Sequence, residues 1–599
     1  MKSTHLKECL VSFSIGLAAM SQAGISTVWN YIYASDWSLT VESATTTADG
    51  RILAVANEDL PSGPRIQVIN LNPNGTLAWQ RNYQSPDRIM AEARDVIVDS
   101  AGNVWVCGVA SNGTTAVQDG LVLKYSPTGS LLRTFLYNGP DSRDDFFTQI
   151  RALSDGSVAV IGTVETAAGH KDGVVLRLDG NTNLIWDRIV ELDTTDTQDD
   201  ELTSLNVRQD KIYVFGHTYQ IFGRSLLGGR RFDIAGNVEA SYDNPLGSFN
   251  GALNSTVVGS SGRVYVAADI ADASPFRTFI NKWEMDGSSA EFGAKVSGSD
   301  KEARVAKILL DQQGNIVVGG TITSETPGRT DGIIAKYDPS FNLIWWRLVD
   351  IQQTDERLLD IAIDPGDGSV YATGSVQRAN LRGHDMLTVK LGANGQVIWN
   401  RIIGTGSSKP SSMGVRVLPS GHDTPTSIGL ISRGNNLYQV HFQRVQSTSR
   451  IEIRLQTTDF PVRWNSQPVT VKFYQPGTSN VVATFPNITP NAGGSMFFNI
   501  TKENYGAFDI RLERRGMLQP VIPNYGIYGQ DQLLLADGIF GDVDRDNAIT
   551  IFDYIDLSAA FDSTPGHPAW NENADLDEDG DVSIFDYVIL SLNFDKQGG

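Results

Sequence analysis

Residues 302–349 read EARVAKILLDQQGNIVVGGTITSETPGRTDGIIAKYDPSFNLIWWRLV. The stretch predicts four short strands, over residues 305–310, 316–320, 332–337 and 343–349, separated by turn-forming residues at Gln313-Gly314-Asn315, a polar loop over 324–330 and a turn over 339–342. The unit recurs, with copies opening near Leu39, Glu92, Asp145, Asp200, Asn250, Glu302 and Glu356, in steps of 53, 53, 55, 50, 52 and 54 residues. A fixed period of about 50 residues with four strands per copy predicts propeller blades rather than a helical solenoid.

Three internal recurrences hold the copies in register. Asp-Gly or Gly-Asn precedes the second strand, as in Asp49-Gly50, Gly102-Asn103 and Asp155-Gly156. Asp-Gly opens the third, at Asp119-Gly120, Asp172-Gly173 and Asp331-Gly332. All these glycines are expected in tight turns with positive φ. The fourth strand carries Trp-x-Arg, as in Trp79-Gln80-Arg81 and Trp186-Asp187-Arg188, with the Trp expected to cover the seam to a neighbouring blade. Residues 27–33 resemble a lone fourth strand, and residues 413–418, 427–431 and 438–444 three strands lacking one. Together they complete a blade built from both ends of the array, which removes exposed sheet edges. The expectation is a mainly β chain with an eight-bladed β-propeller over residues 27–445, closed by both termini of the array, with seven blades as the alternative. The runs Asp311-Gln312-Gln313-Gly314-Asn315 and Asp331-Gly332-Ile333-Ile334-Ala335-Lys336-Tyr337 resemble the bacterial SBBP-type β-propeller repeat, which implies a secreted bacterial protein.

Residues 1–23 read as a secretory signal peptide: Lys2, His5 and Lys7, then an apolar stretch over 10–20 too short to span a bilayer, then Ser21-Gln22-Ala23. Cleavage leaves Cys107 alone, which excludes an intramolecular disulfide. No later stretch is long and apolar enough for a transmembrane helix, and the expected location is extracellular or on the cell surface. The net charge of −21 argues against nucleic acid and anionic lipid as partners.

From residue 450 the period breaks, and alternating segments over 451–457, 469–475, 480–485, 495–501 and 507–514 predict a small β-sandwich over residues 450–537. It resembles prealbumin-like modules of secreted bacterial proteins, which implies a spacer.

Residues 540–599 hold the clearest chemistry. Two twelve-residue loops start at Asp542 and Asp575. Oxygen side chains fall at loop positions 1, 3, 5, 9 and 12: Asp542, Asp544, Asp546, Thr550 and Asp553 in the first, Asp575, Asp577, Asp579, Ser583 and Asp586 in the second. Position 7 offers the carbonyls of Ala548 and Asp581. A hard cation with six to eight oxygen ligands needs that spacing, so two calcium ions are expected. Gly580 and Asn547 suit the sharp turn at position 6. The segment carries 14 Asp or Glu against two Lys or Arg, a net of −12, which couples folding to cation binding. Amphipathic helices are expected over 551–561 and 584–594, with no helix before the first loop. Duplicated loop–helix units of this kind resemble a dockerin type I module, which implies a cohesin-like or other scaffold protein as partner. Ile551-Phe552 and Ile584-Phe585 stand at positions 10 and 11, where many cellulosomal dockerins carry small polar residues. They read either as core or as a more apolar docking face.

No zincin, nucleotide-binding or nucleophile-elbow motif is present, and no catalytic residue is assigned. The reading is a secreted, modular, non-enzymatic protein. Its propeller serves as a platform for an extracellular glycan or protein ligand, and its calcium-dependent tail attaches it to another protein. The alternative is a carbohydrate-active hydrolase or lyase at the channel mouth. Acids ahead of several first strands, at Glu92, Asp144-Asp145, Asp200-Glu201, Glu302 and Asp355-Glu356, form either a ring at that mouth or braces between blades.

Overall fold

The computed structural model describes residues 24–598 except 87–88, 112–116, 193–198, 221–223, 243–250, 271–276, 288–289, 297–301, 325, 327, 352–353, 378–382, 404–411, 420–423, 433–436, 458–461, 502–505 and 528–531. The stretch read as a signal peptide lies outside the described residues. The chain forms two compact units, one of them Thr27–Val445 and the other built from Gln446 onward. No helix among the described residues is long and apolar enough to cross a membrane.

The first unit is a succession of four-stranded antiparallel sheets, one per repeat and each in simple sequential order. Repeat six shows the pattern, with strands Ala303–Leu310, Ile316–Thr323, Thr330–Tyr337 and Leu343–Val349. The two middle strands are buried almost throughout, because sheets cover both of their faces; the fourth strand alternates and exposes Leu343, Ile344 and Trp346. An eighth sheet joins Ser412–Pro419, Pro425–Ser432, the first half of Tyr438–Gln456 and, at its outer edge, Gly24–Tyr33. In all eight first strands the register slips by one residue at the same place, from Val41/Ser43 in repeat one to Gly414/Arg416 in the eighth sheet. Such a bulge bends the strand and increases its twist.

Successive sheets share cores. Leu53 and Val68 of repeat one pack with Val96 and Val106 of repeat two, and Val317 and Ile334 of repeat six with Leu358 and Ile361 of repeat seven. Leu39 and Ile52 of repeat one pack in the same way with Ile428 and Phe442 of the eighth sheet. At three seams the fourth-strand Trp fastens one repeat to the next as expected, whereas the fourth strands of repeats two, four and five carry no Trp. The indole N–H groups of Trp79, Trp186 and Trp345 donate to the carbonyls of Pro127, Ile234 and Ala393, at 2.9–3.0 Å. Each ring lies on a turn glycine of the next repeat: Gly129, Gly236 and Gly395, all at φ near +80°. A Cβ on any of the three would come within 2.8 Å of the ring. Trp29, on the N-terminal strand, makes the same bond to Pro73 in repeat one at 2.9 Å, above Gly75.

One sequence expectation is corrected. The second-strand glycines, such as Gly102 and Gly314, do have positive φ. Gly120, Gly173 and Gly332 do not; they lie within third strands. They are glycine because Phe147, Leu202 and Leu358 of the following repeat press on them, 2.7–2.8 Å from where a Cβ would sit.

The second unit contains a sandwich. One sheet orders Val481–Ile488, Val469–Tyr474, Gly506–Glu513 and Val521–Ile527. In the other, residues 448–456 pair antiparallel with Ser495–Thr501 and parallel with Gln532–Asp537. Phe473, Phe485, Phe498 and Phe508 meet between them, with ring centroids 4.7–6.3 Å apart. The strands Val521–Ile527 and Gln532–Asp537 were not anticipated from the sequence. Helices α1 (Ile551–Ala560) and α2 (Ile584–Asn593) follow the two acidic loops. They share one hydrophobic core with the sandwich, from Trp464, Leu512 and Phe540 to Ile549, Leu557, Ile589 and Leu590.

Candidate metal centre

The first acidic loop begins on the extended segment Phe540–Asp542 and the second after a turn over 572–574; each runs into a helix. The position-12 carboxylates, Asp553 and Asp586, are fully buried and tie their loops together. Asp553 accepts from the amides of Val543 (2.6 Å), Asp544 (3.1 Å) and Thr550 (2.7 Å). Asp586 repeats this with Leu576 (2.6 Å), Asp577 (3.3 Å) and Ser583 (2.8 Å). Thr550 and Ser583 are N-caps: their hydroxyls accept from the amides of Phe552 and Phe585, both at 3.2 Å. Position 6 adopts the left-handed conformation in both loops, at Asn547 (φ 68°) and Gly580 (φ 97°). Asn547 also accepts from the Gln519 amide at 2.8 Å, which accounts for a side chain at that turn.

The structure brings together carboxylate oxygens of Asp542, Asp544 and Asp553 within 4.8 Å of one another, and likewise those of Asp575, Asp577 and Asp579. Asp546 and Asp581 instead take part in short loop hydrogen bonds, Asp546 accepting from the Ala548 amide (2.8 Å) and Asp581 donating its amide to Asp579 (3.1 Å). Burial, reinforced by the neighbouring carboxylates, pushes Asp542, Asp575 and Asp577 up to about 6. An all-oxygen, multiply negative donor set of this kind suits a hard divalent cation.

The two halves support each other reciprocally. The segment after α2 pairs with the first loop, through Ile549 N–H to Lys596 O and Asp595 N–H to Ile549 O, both 2.8 Å. The segment after α1 pairs with the second, through Asp562 N–H to Val582 O at 2.8 Å and Val582 N–H to Ser563 O at 3.0 Å. The sandwich grips both loops. Arg514, with no side-chain exposure, donates from Nη2 to both carboxylate oxygens of Glu578 at 2.7 and 2.8 Å and from Nη1 to the Trp464 carbonyl at 3.0 Å.

Ile551, Phe552, Ile584 and Phe585 are 54–63% exposed, so of the two fates open for them the structure selects the surface. With Ile555, Phe561, Val588 and Leu592 they form an apolar face over both helices.

In the first unit, several of the acids around the first-strand starts act as braces, whereas Glu92 pairs with Arg94 of its own strand at 2.8 Å. Asp144, Asp199 and Asp355 accept from the amides of Gln118, Lys171 and Thr330, which open third strands of the preceding repeats, all at 2.9 Å. Asp200 accepts from Leu192 N–H at 2.8 Å, and Asp145 from Gly139 N–H.

No known family and no curated protein matches this chain. Among solved structures, it is similar to a type II cohesin–X-dockerin complex from Acetivibrio cellulolyticus at 18% identity, covering 25% of this chain and 97% of that one, with a TM-score of 0.20. It is also similar to a PL25 ulvan lyase (10% identity, 69% and 95% covered, TM-score 0.39) and to Sqt1 from Chaetomium thermophilum (9%, 72% and 100%, TM-score 0.42).

Proposed function

We propose that this chain is an extracellular attachment protein: an eight-bladed ring over residues 27–445 serves as a binding platform, and a calcium-loaded, dockerin-like tail fixes it to a scaffold protein. The observation that carries the reading is the placement of two exposed apolar residues at positions 10 and 11 of each acidic loop, where it becomes a helix whose N-cap the loop itself provides. Calcium at Asp542, Asp544, Asp546, Ala548 and Asp553, and at Asp575, Asp577, Asp579, Asp581 and Asp586, neutralises the loops and sets the two helices. Thr550 and Ser583, occupied as caps, reach their cations through water. The Trp29 contact to repeat one supports eight blades, because it repeats the fastening between successive repeats.

The test is calorimetric binding of the full chain to a panel of cohesin modules, type II among them, in calcium and in chelator. Binding in calcium that disappears in chelator and in Phe552→Asp/Phe585→Asp supports the reading. Binding indifferent to those substitutions refutes the docking face, and no binding by any module in calcium refutes cohesin as the partner.

A further inference from the structure

A second kind of carboxylate cluster lies in the first unit, at the seam between repeats six and seven. Asp331 sits near the start of Thr330–Tyr337, Asp350 directly follows Leu343–Val349, and Glu356 opens Glu356–Ile363. An oxygen from each lies within 4.8 Å of the others. Asp331 is 3% exposed, Glu356 0%, and Asp350 is half-buried. Local sequence enforces the meeting. Gly332 is bare so that Leu358 can press on it, which brings the start of Glu356–Ile363 against the start of Thr330–Tyr337.

The Glu356 carboxylate is half-satisfied. Thr354 Oγ1 donates to Oε1 at 2.7 Å and the Ile351 amide also acts on the carboxylate, while the fully buried Oε2 has no partner in hydrogen-bond geometry. A carboxylate oxygen removed from water without a partner is costly, and two further carboxylates at this distance add repulsion. The related acids at other seams have different company: Asp145 and Asp200 also stand opposite an Asp-Gly strand, but among the described residues neither belongs to a trio of acids with oxygens within 4.8 Å of one another. A hard cation satisfies the orphaned oxygen and the repulsion together, and all-oxygen ligation by carboxylates with water completing the shell is the chemistry of calcium-class ions.

We propose that Asp331, Asp350 and Glu356 form a site for one calcium-class divalent cation that clamps repeat six to repeat seven. It is separate from the loops of the C-terminal unit and does not depend on how those are read.

The test compares three full-length chains, the wild type, Glu356→Gln and Asp350→Asn, by bound-calcium analysis after equilibrium dialysis, with circular dichroism to establish folding. Ions held by the C-terminal loops are common to all three and cancel in the difference. The expected result is one calcium fewer per chain in each folded variant, and a calcium-induced rise in the melting temperature of the repeat array that the wild type shows and the variants lack. Should Glu356→Gln fail to fold, the half-buried Asp350→Asn decides. Equal calcium content in the wild type and the folded variant overturns the proposal.

Discussion

The ion pair between Arg514 and Glu578 offers the sharpest perturbation of the C-terminal unit. Both side chains are almost fully buried, at 0% and 4% exposure. Burial pulls Arg514 below the ordinary guanidinium range and pushes Glu578 above the ordinary carboxylate range, each opposed by its partner. Desolvation therefore outweighs pairing, and removing one partner strands a buried charge. Two charges at this separation attract by about 6 kcal/mol at an effective dielectric near 20, against a desolvation penalty of several kcal/mol per ion. Arg514→Met and Glu578→Gln should each destabilise the unit by about 3–5 kcal/mol, the usual cost of breaking a buried pair. For a unit of this size that lowers the melting temperature by roughly 6–20 °C. The double variant should be much less damaged than the two single losses combined, because it leaves no unpaired ion. Calorimetry of the full chain in saturating calcium, with hydrogen exchange over Gly506–Glu513 to assign the transition, reads the effect. A loss below about 1 kcal/mol in Arg514→Met, or strict additivity in the double variant, would mean that no buried charge is stranded.

Three more outcomes follow from the geometry. Trp345→Ala should cost the repeat array about 3–5 kcal/mol in denaturant unfolding, since it opens a cavity on Gly395 and frees the Ala393 carbonyl. Asp542, Asp575 and Asp577 have folded values raised to about 6 from 3.8, so without metal the folded tail takes up protons first. In chelator the tail's unfolding midpoint should rise as pH falls from 7 to 5, whereas in saturating calcium it should fall as protons compete for the ligands. His441 is 3% exposed and burial lowers it from 6.5 to about 4, so the unfolded chain is protonated first. Its contribution, about 3 kcal/mol, is present above pH 6.5 and shrinks between 6.5 and 4; His441→Gln should flatten that part of the array's acid-stability curve.

The repeat was readable because each copy must solve the same packing problem with the same residues. The Trp that covers a seam, and the glycine before the second strand, recur at fixed spacing for that reason. The third-strand Asp-Gly pairs look identical to turn pairs in sequence, yet Gly332 answers to Leu358, a residue 26 positions away in another sheet. Local pattern cannot register that demand. The same limit applies at the second unit. The ligand spacing of the loops depends only on local geometry and was plain in the sequence. The grip of Arg514 on Glu578 and the shared core from Trp464 to Leu590 depend on segments meeting across 64 residues or more. The exposure of Phe552 and Phe585 was equally hidden, because an apolar pair at a helix start fits a core and a docking face alike. The acids before the first strands were ambiguous for a similar reason, and Asp144, Asp200 and Asp355 resolve as amide caps.

The most direct measurement is the calcium content of the wild-type chain against Asp542→Asn/Asp575→Asn, which removes position 1 from both loops. The variant should hold two ions fewer per chain, with faster hydrogen exchange across α1 and α2. The same calcium content and unchanged protection of both helices would contradict it.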